Sequence, residues 1–373
     1  MKTTLRSIVT GMVLFLMTIL QSFGQLEDIG KMLTGGVNDA QQMVTEYLRP
    51  LANALGANIN GGWYNTAKVH PFGGFDITFT TSMAFAPDAH KTYDLNNLTL
   101  AALYDVDENI ANTIAGGKDI GPELSYQQDV LGNPVTYLSY DHPAGTGIDF
   151  IPSPMINAAV GLPKGFEIIG RYMPTVKIGG TGKVGIWGAG FKHDVKQWIP
   201  VLAKIPILNL AVMYGYTNVK VNMELSSITP ELIEATDATS ESVNFDDQNF
   251  DIVTQGHTAN ALVSANLPVV CFYGGVGISI TQTNLKLNGY YPLPAIITDP
   301  NDPNFDPTFT PVVTDQSALQ DPINIEIKNQ DGGTTKPRLN AGIRFKFAVI
   351  TLHFDYTWAN YSVATAGLGV NIR

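Results

Sequence analysis

The strongest constraint on this chain is an alternation that runs to its last residue. In VITLHFDYTWANYSVATAGLGVNIR, Ile350, Leu352, Phe354, Tyr356 and Trp358 form one row, and Thr351, His353, Asp355 and Thr357 the other. Successive side chains of a strand point to opposite faces, so one face is apolar and the other polar. Either a soluble sheet with one buried face or a membrane barrel with a lipid face and a wet lumen gives this pattern. The apolar row closes with Tyr356 and Trp358, which suit a membrane interface. The final segment repeats the device, with Ala364, Ala366, Leu368, Val370 and Ile372 against Thr365, Gly367, Gly369, Asn371 and Arg373. An open strand edge is a liability in water and forbidden in lipid, so closure onto the first strand is the expected solution.

The N-terminus favours the membrane reading. Lys2 and Arg6 precede an apolar run from Ile8 to Leu20, and Ser22 and Gly24 then occupy the positions a signal peptidase inspects. This predicts a cleaved signal peptide over 1–24, with cleavage before Gln25. The run is shorter than the roughly 20 residues of a spanning helix. Charged residues are only 15% of the chain, lean for a soluble protein and suited to a lipid-facing girdle. Acidic residues number 33 against 22 basic ones, which argues against nucleic acid as a partner. The single cysteine, Cys271, sits in a strand pattern and reads as a small packing residue.

Residues 25–58 are expected to form a helical plug and 59–373 the barrel. Val37, Ala40, Val44, Tyr47, Leu48, Leu51 and Leu55 keep the 3.6 period. Asn38 or Asp39 is the expected cap, Pro50 a kink or break, and Gly56 the stop. Ten clear strand patterns follow from Phe75 onwards, and 98–106 and 134–141 are weaker candidates. The expectation is an all-β, antiparallel transmembrane barrel of about twelve strands, within a range of roughly ten to fourteen. Tight connections (GLPKG, NLPV, KFAV) alternate with long ones (87–150, 226–250, 292–334), as in outer-membrane barrels with short periplasmic turns and long external loops.

At GLPKGFEIIGRYMPT, GFKHDVKQWIP, GLGVNIR and GGWYNTAKVHPFGGFD the chain resembles a family of outer-membrane barrels common in Bacteroidetes, domain of unknown function 6588. More distantly it is similar to long-chain fatty-acid outer-membrane transporters. That likeness implies an N-terminal helical hatch inside a monomeric barrel. The chain departs from those transporters in lacking a clear Asn-Pro-Ala motif after the hatch region.

The inward rows carry the candidate ligand-binding residues. Arg338, Arg344 and Lys346 share a row on one strand, His353 and Asp355 on the next, and Glu167 and Arg171 on an earlier one. Two readings stay open: a charged wall that orients an anionic headgroup, or internal pairs that fill a narrow lumen. His353 and Asp355 lack a serine in any nucleophile motif, so an enzyme is not expected. Asp299, Asn301, Asp302, Asn304 and Asp306 offer oxygens to calcium but without the spacing of a helix-loop-helix site, and they read as a solvated loop. No cofactor or metal is expected. The functional expectation is a channel or receptor for small hydrophobic or amphipathic molecules, in contact with outer-membrane lipid. The alternative is a structural or accessory barrel whose long loops bind a partner.

Overall fold

The computed structural model describes residues 29–100, 109–130, 132–178, 182–225, 227–328 and 333–372. The expected signal peptide lies outside the described residues. Ten strands form the wall: β1 (Phe75–Phe85), β2 (Phe150–Leu162), β3 (Phe166–Ile178), β4 (Gly182–Asp194), β5 (Leu208–Glu224), β6 (Asn249–Asn266), β7 (Val270–Asn288), β8 (Thr335–Phe347), β9 (Ile350–Trp358) and β10 (Ser362–Ile372). Each pairs antiparallel with the next. The last pairs with the first, from Phe75↔Ile372 to Phe85↔Ser362, so the ring has no free edge.

Ten is the low end of the expected range, and the two weaker candidates account for the excess. Asn133–Asp141 pairs with Glu123–Val130 in a hairpin apart from the wall. Residues 98–100 carry no strand, and 101–106 lie outside the described residues. A short strand, Asn324–Ile327, adds to β7 outside the closed ring.

Connections sort by end. The turns Pro163–Gly165, 267–269 and 348–349 lie at one end with the longer segment 195–207. The excursions 86–149, 225–248 and 289–334 leave from the other. The first is the short-turn end of the barrel and the second its long-loop end.

The two faces alternate as the sequence requires. Every strand exposes large apolar side chains outward, among them Ile77, Ile156, Ile168, Trp187, Phe272 and Leu368. An apolar surface that continues around a closed barrel is covered by lipid. Thr80, Asn157, Arg171, Lys192, Thr258 and Asp355 point inward and are buried.

Inside the lumen lies a helix. A short α1 (Ile29–Thr34) leads into α2 (Val37–Asn60). The N-terminal part of α2 packs under the long loops, where Met43, Tyr47 and Leu48 join Leu95, Leu124 and Tyr126 in one apolar core. Ile114 donates its N–H to the Tyr47 carbonyl at 3.0 Å, and the Tyr47 hydroxyl donates to the Ala144 carbonyl at 2.9 Å. The chain beyond α2 then descends to the short-turn end, where Gly73 donates to the Gly161 carbonyl at 3.1 Å just before β1. The N-terminal end of the plug thus faces the long loops.

Three local expectations are corrected. Pro50 sits inside a continuous helix, because packing on the wall and the loop canopy outweighs the one lost backbone bond. Gly56 does not stop the helix: a Cβ there would collide with Thr281 on β7, so glycine permits a close approach. The start is capped by neither Asn38 nor Asp39; Gly36 stands at that position without a side-chain bond.

An arginine replacing the outward Phe354, which is 46% exposed, should cost about 2–4 kcal/mol if it lies near the bilayer midplane. Equilibrium folding into lipid vesicles measures this; an unchanged free energy would contradict a lipid-facing β9.

Candidate functional site

The C-terminal end of a helix leaves carbonyls without partners and carries about half a negative charge. In α2 that end is held by two arginines of the wall. Arg171 on β3 donates from Nη1 to the Ile59 carbonyl and from Nη2 to the Gly61 carbonyl, each at 2.7 Å, and from Nε to Asn157 Oδ1 at 3.0 Å. Its guanidinium also lies 4.0 Å from the centre of the Trp63 ring. Arg338 on β8 donates to the Asn60 carbonyl and, at 3.0 Å, to Thr258 Oγ1. Both arginines are buried. Their charge is met by the carbonyl end of the helix.

A second buried group pins the chain at the short-turn end. Glu167 accepts from the His70 backbone N–H at 2.9 Å and lies 2.7 Å from His70 Nδ1. Its other oxygen pairs with Lys192 Nζ at 2.7 Å. Asn371 lies 2.8 Å from His70 Nε2 and accepts from Lys346 Nζ at 3.2 Å.

The remaining inward residues are likewise engaged. Arg344 donates to Asn65 Oδ1 at 3.1 Å. Asp355 accepts from the Tyr273 hydroxyl at 2.9 Å and from Asn340 at 2.8 Å. His353 is buried, with its ring against Gly367. All seven candidates therefore face the lumen, but four of them (Glu167, Arg171, Arg338 and Arg344) bond the plug or its descending chain directly, and Lys346 bonds Asn371 of β10, which in turn meets His70. Of the two readings left open, internal pairing describes this geometry. His70 and Lys192 were not among the candidates; Lys192 stands on the inward row of GFKHD, and that parity was the available signal.

The open space lies elsewhere. A cavity of about 470 Å³ sits between α2 and the upper wall of β2 to β6. Leu51, Ala54 and Leu55 line it from the helix, and Met155, Met173 and Ile186 from the wall; Ile114, Thr146 and Ile148 belong to its roof. Phe79, Ile156 and Tyr172 line it too, although their side chains are on the outer face. The cavity therefore reaches the outside through the wall.

The opening is the seam between β2 and β3. Their ladder runs from Leu162↔Phe166 only as far as Ile156↔Tyr172. Residues 150–155 and 173–178 have no ladder partners across the seam. Prolines explain why: Pro152 and Pro154 stand on β2 and Pro174 on β3, and a proline has no N–H to donate. The β1–β2 ladder continues past Pro152 and Pro154. The β3–β4 register shifts between Met173 and Val176, which bulges Pro174 and Thr175 out of the sheet. Ile151, between the two prolines, keeps its ladder pairing with Ala84 of β1, and its carbonyl also accepts from Asn58 of the plug at 2.6 Å.

The family model for DUF6588, a family of unknown function, matches residues 1–372. The chain belongs to that family. Comparison with curated proteins gives no match. Among solved structures, the translocator domain of autotransporter NalP from Neisseria meningitidis is 10% identical at a TM-score of 0.30, over 82% of this chain and 89% of that one. Outer membrane protease OmpT from Escherichia coli is 7% identical at 0.31, over 80% and 97%. Ail of Yersinia pestis is 9% identical at 0.27, over 81% and 98%. Likenesses this low carry no argument about activity; the barrel is read from its own closed ladder.

The loop canopy over the plug carries a titratable contact. His142 lies edge-on to Tyr47 of α2, its Nε2 is 2.7 Å from the Tyr93 hydroxyl, and its Nδ1 is 2.9 Å from the Pro143 carbonyl. Burial holds its pKa down at about 4. Unfolded histidine binds a proton near 6.5, so the contact is fully stable above that pH and loses stability as pH falls from 6.5 through 4. The loss reaches about 3 kcal/mol at pH 4. Protease cleavage within 86–149 should quicken over that window, and His142→Gln, which cannot charge, should flatten the response. An equal pH response in the variant would contradict the assignment.

Proposed function

We propose that this protein is an outer-membrane barrel, shut to bulk solutes by its own N-terminal helix, that passes small hydrophobic or amphipathic molecules through the side of its wall. The observation that carries this reading is the apolar cavity joining the plug to the outer face through the unzipped β2–β3 seam. Its size falls within the roughly 300–1,000 Å³ of small-molecule sites.

Long external loops and short periplasmic turns are the pattern of such barrels, which supports an orientation with the long-loop end outside the cell. The seam then opens at the level of the outer leaflet. The plug has its N-terminal end outward and its C-terminal end clasped in mid-barrel. A pull from the periplasm would draw on residues 61–74 and on the Glu167 group before it reached the helix. Gating is therefore a matter of the seam and canopy rather than of extracting the plug from below.

Two variants test the reading together. Deleting residues 29–60 should turn a silent protein into an ion-conducting pore in planar bilayers. The pore should favour anions, because Arg171, Lys192, Arg338 and Arg344 then face the lumen against Glu167 and Asp355. Val176→Trp should leave the protein silent to ions but block entry of an apolar fluorescent probe, since Val176 lines the cavity at the seam. Ion conductance by the intact protein, or probe entry unchanged in Val176→Trp, would overturn it.

A further inference from the structure

We infer that the mouth of the seam is a binding site for the anionic head of a single-chain amphiphile whose tail enters the cavity; this rests on the sideways route proposed above. The cavity wall is apolar, and its charged lining residues are Asp149, Lys177 and Lys183. Asp149 is already paired, 2.8 Å from Lys91. The other two are cations on facing strands.

Lys177 on β3 stands directly opposite Lys183 on β4, one rung from the end of their ladder. Like charges placed opposite one another destabilise a strand pair. Lys183 has partial relief from Glu224, 3.4 Å away and itself exposed. Lys177 has no ion-pair partner among the described residues. An anion seated between the two ammonium groups would remove the repulsion and pair the free charge.

The apolar side of the site begins at once. Val176 precedes Lys177, and Gly182 precedes Lys183; both line the cavity. Beyond them lie Val184, Met173 and Ile186 on the wall, with Leu51 and Leu55 of the helix opposite. A charged head outside and a dry slot behind it are the two halves of an amphiphile. The mouth sits at the long-loop end of the barrel, the level at which lipid headgroups meet water in the proposed orientation. Arg338, Arg344 and Lys346, cations of the lumen, are committed to Asn60, Asn65 and Asn371.

The test uses the full barrel in zwitterionic nanodiscs with two probes, dodecyl phosphate and dodecyltrimethylammonium. Binding is read by displacement of an environment-sensitive dye from the cavity. The intact protein should prefer the phosphate by at least about tenfold. The double variant Lys177→Glu, Lys183→Glu should lose that preference and favour the ammonium probe; both positions are exposed, and a heat-dependent gel shift confirms the barrel is formed. Val176→Trp should displace both probes. If the tryptophan blocks binding but charge reversal changes nothing, the cavity stands and the anion site falls. If the tryptophan fails to block either probe, the sideways route falls as well. Doping the discs with a diacyl phosphatidic acid separates the sources of the headgroup: no competition supports a single-chain ligand, and full competition overturns it.

Discussion

Arg171 and Arg338 stand five strands apart in a ring of ten, on opposite walls of the barrel, and both reach the carbonyl end of α2. Burying a guanidinium costs several kcal/mol unless its charge and donors are met. A carboxylate is the usual answer. Here the answer is a helix terminus, whose free carbonyls and partial negative charge accept charge-assisted bonds from both sides. The wall needs the helix to neutralise it, and the helix needs the wall to cap it. Without the helix the two wall guanidiniums are left to lumen water, so the plug neutralises the barrel as well as sealing it.

From that clasp the rest follows. With the helix fixed across the lumen, the polar interior is consumed in holding α2 and the strand-bound descent through His70. The space that remains lies beside the helix, where its apolar flank meets a stretch of wall weakened by Pro152, Pro154 and Pro174. An unpaired strand edge facing lipid would ordinarily be prohibitive. It is tolerated here because the prolines, whose positions on β2 and β3 face the seam, carry no donor to strand. The clasp that closes the axial path also holds Asn58 of the helix against the Ile151 carbonyl, beside the open stretch of wall.

Much of this was legible in the sequence. The period-2 rows identified the ten strands and their faces, since register leaves no freedom once one face meets lipid. The alternation of loop lengths gave the two ends. The 3.6 period gave the helix. Its direction within the lumen was not legible, because an apolar stripe is the same read from either end. Gly56 looked like a stop because its reason, Thr281, lies on β7 far along the chain. The inward cations were found, but not their partners: backbone carbonyls leave no mark in a sequence. The seam could have been found. Three prolines on consecutive strands of a barrel, where every strand should be paired on both sides, contradict the closed ladder on sight.

The central claim is that the lumen is sealed along its axis and open at its side. Photo-crosslinking in native membranes tests it directly, with a benzophenone side chain placed at Met173 or Met155, which line the cavity, or at Thr258, which lies buried beside Arg338. The account predicts acyl-chain adducts from Met173 and Met155 and none from Thr258. Adducts from outward positions such as Phe272 alone, with Met173 and Met155 silent, would show that the wall is closed and would contradict it.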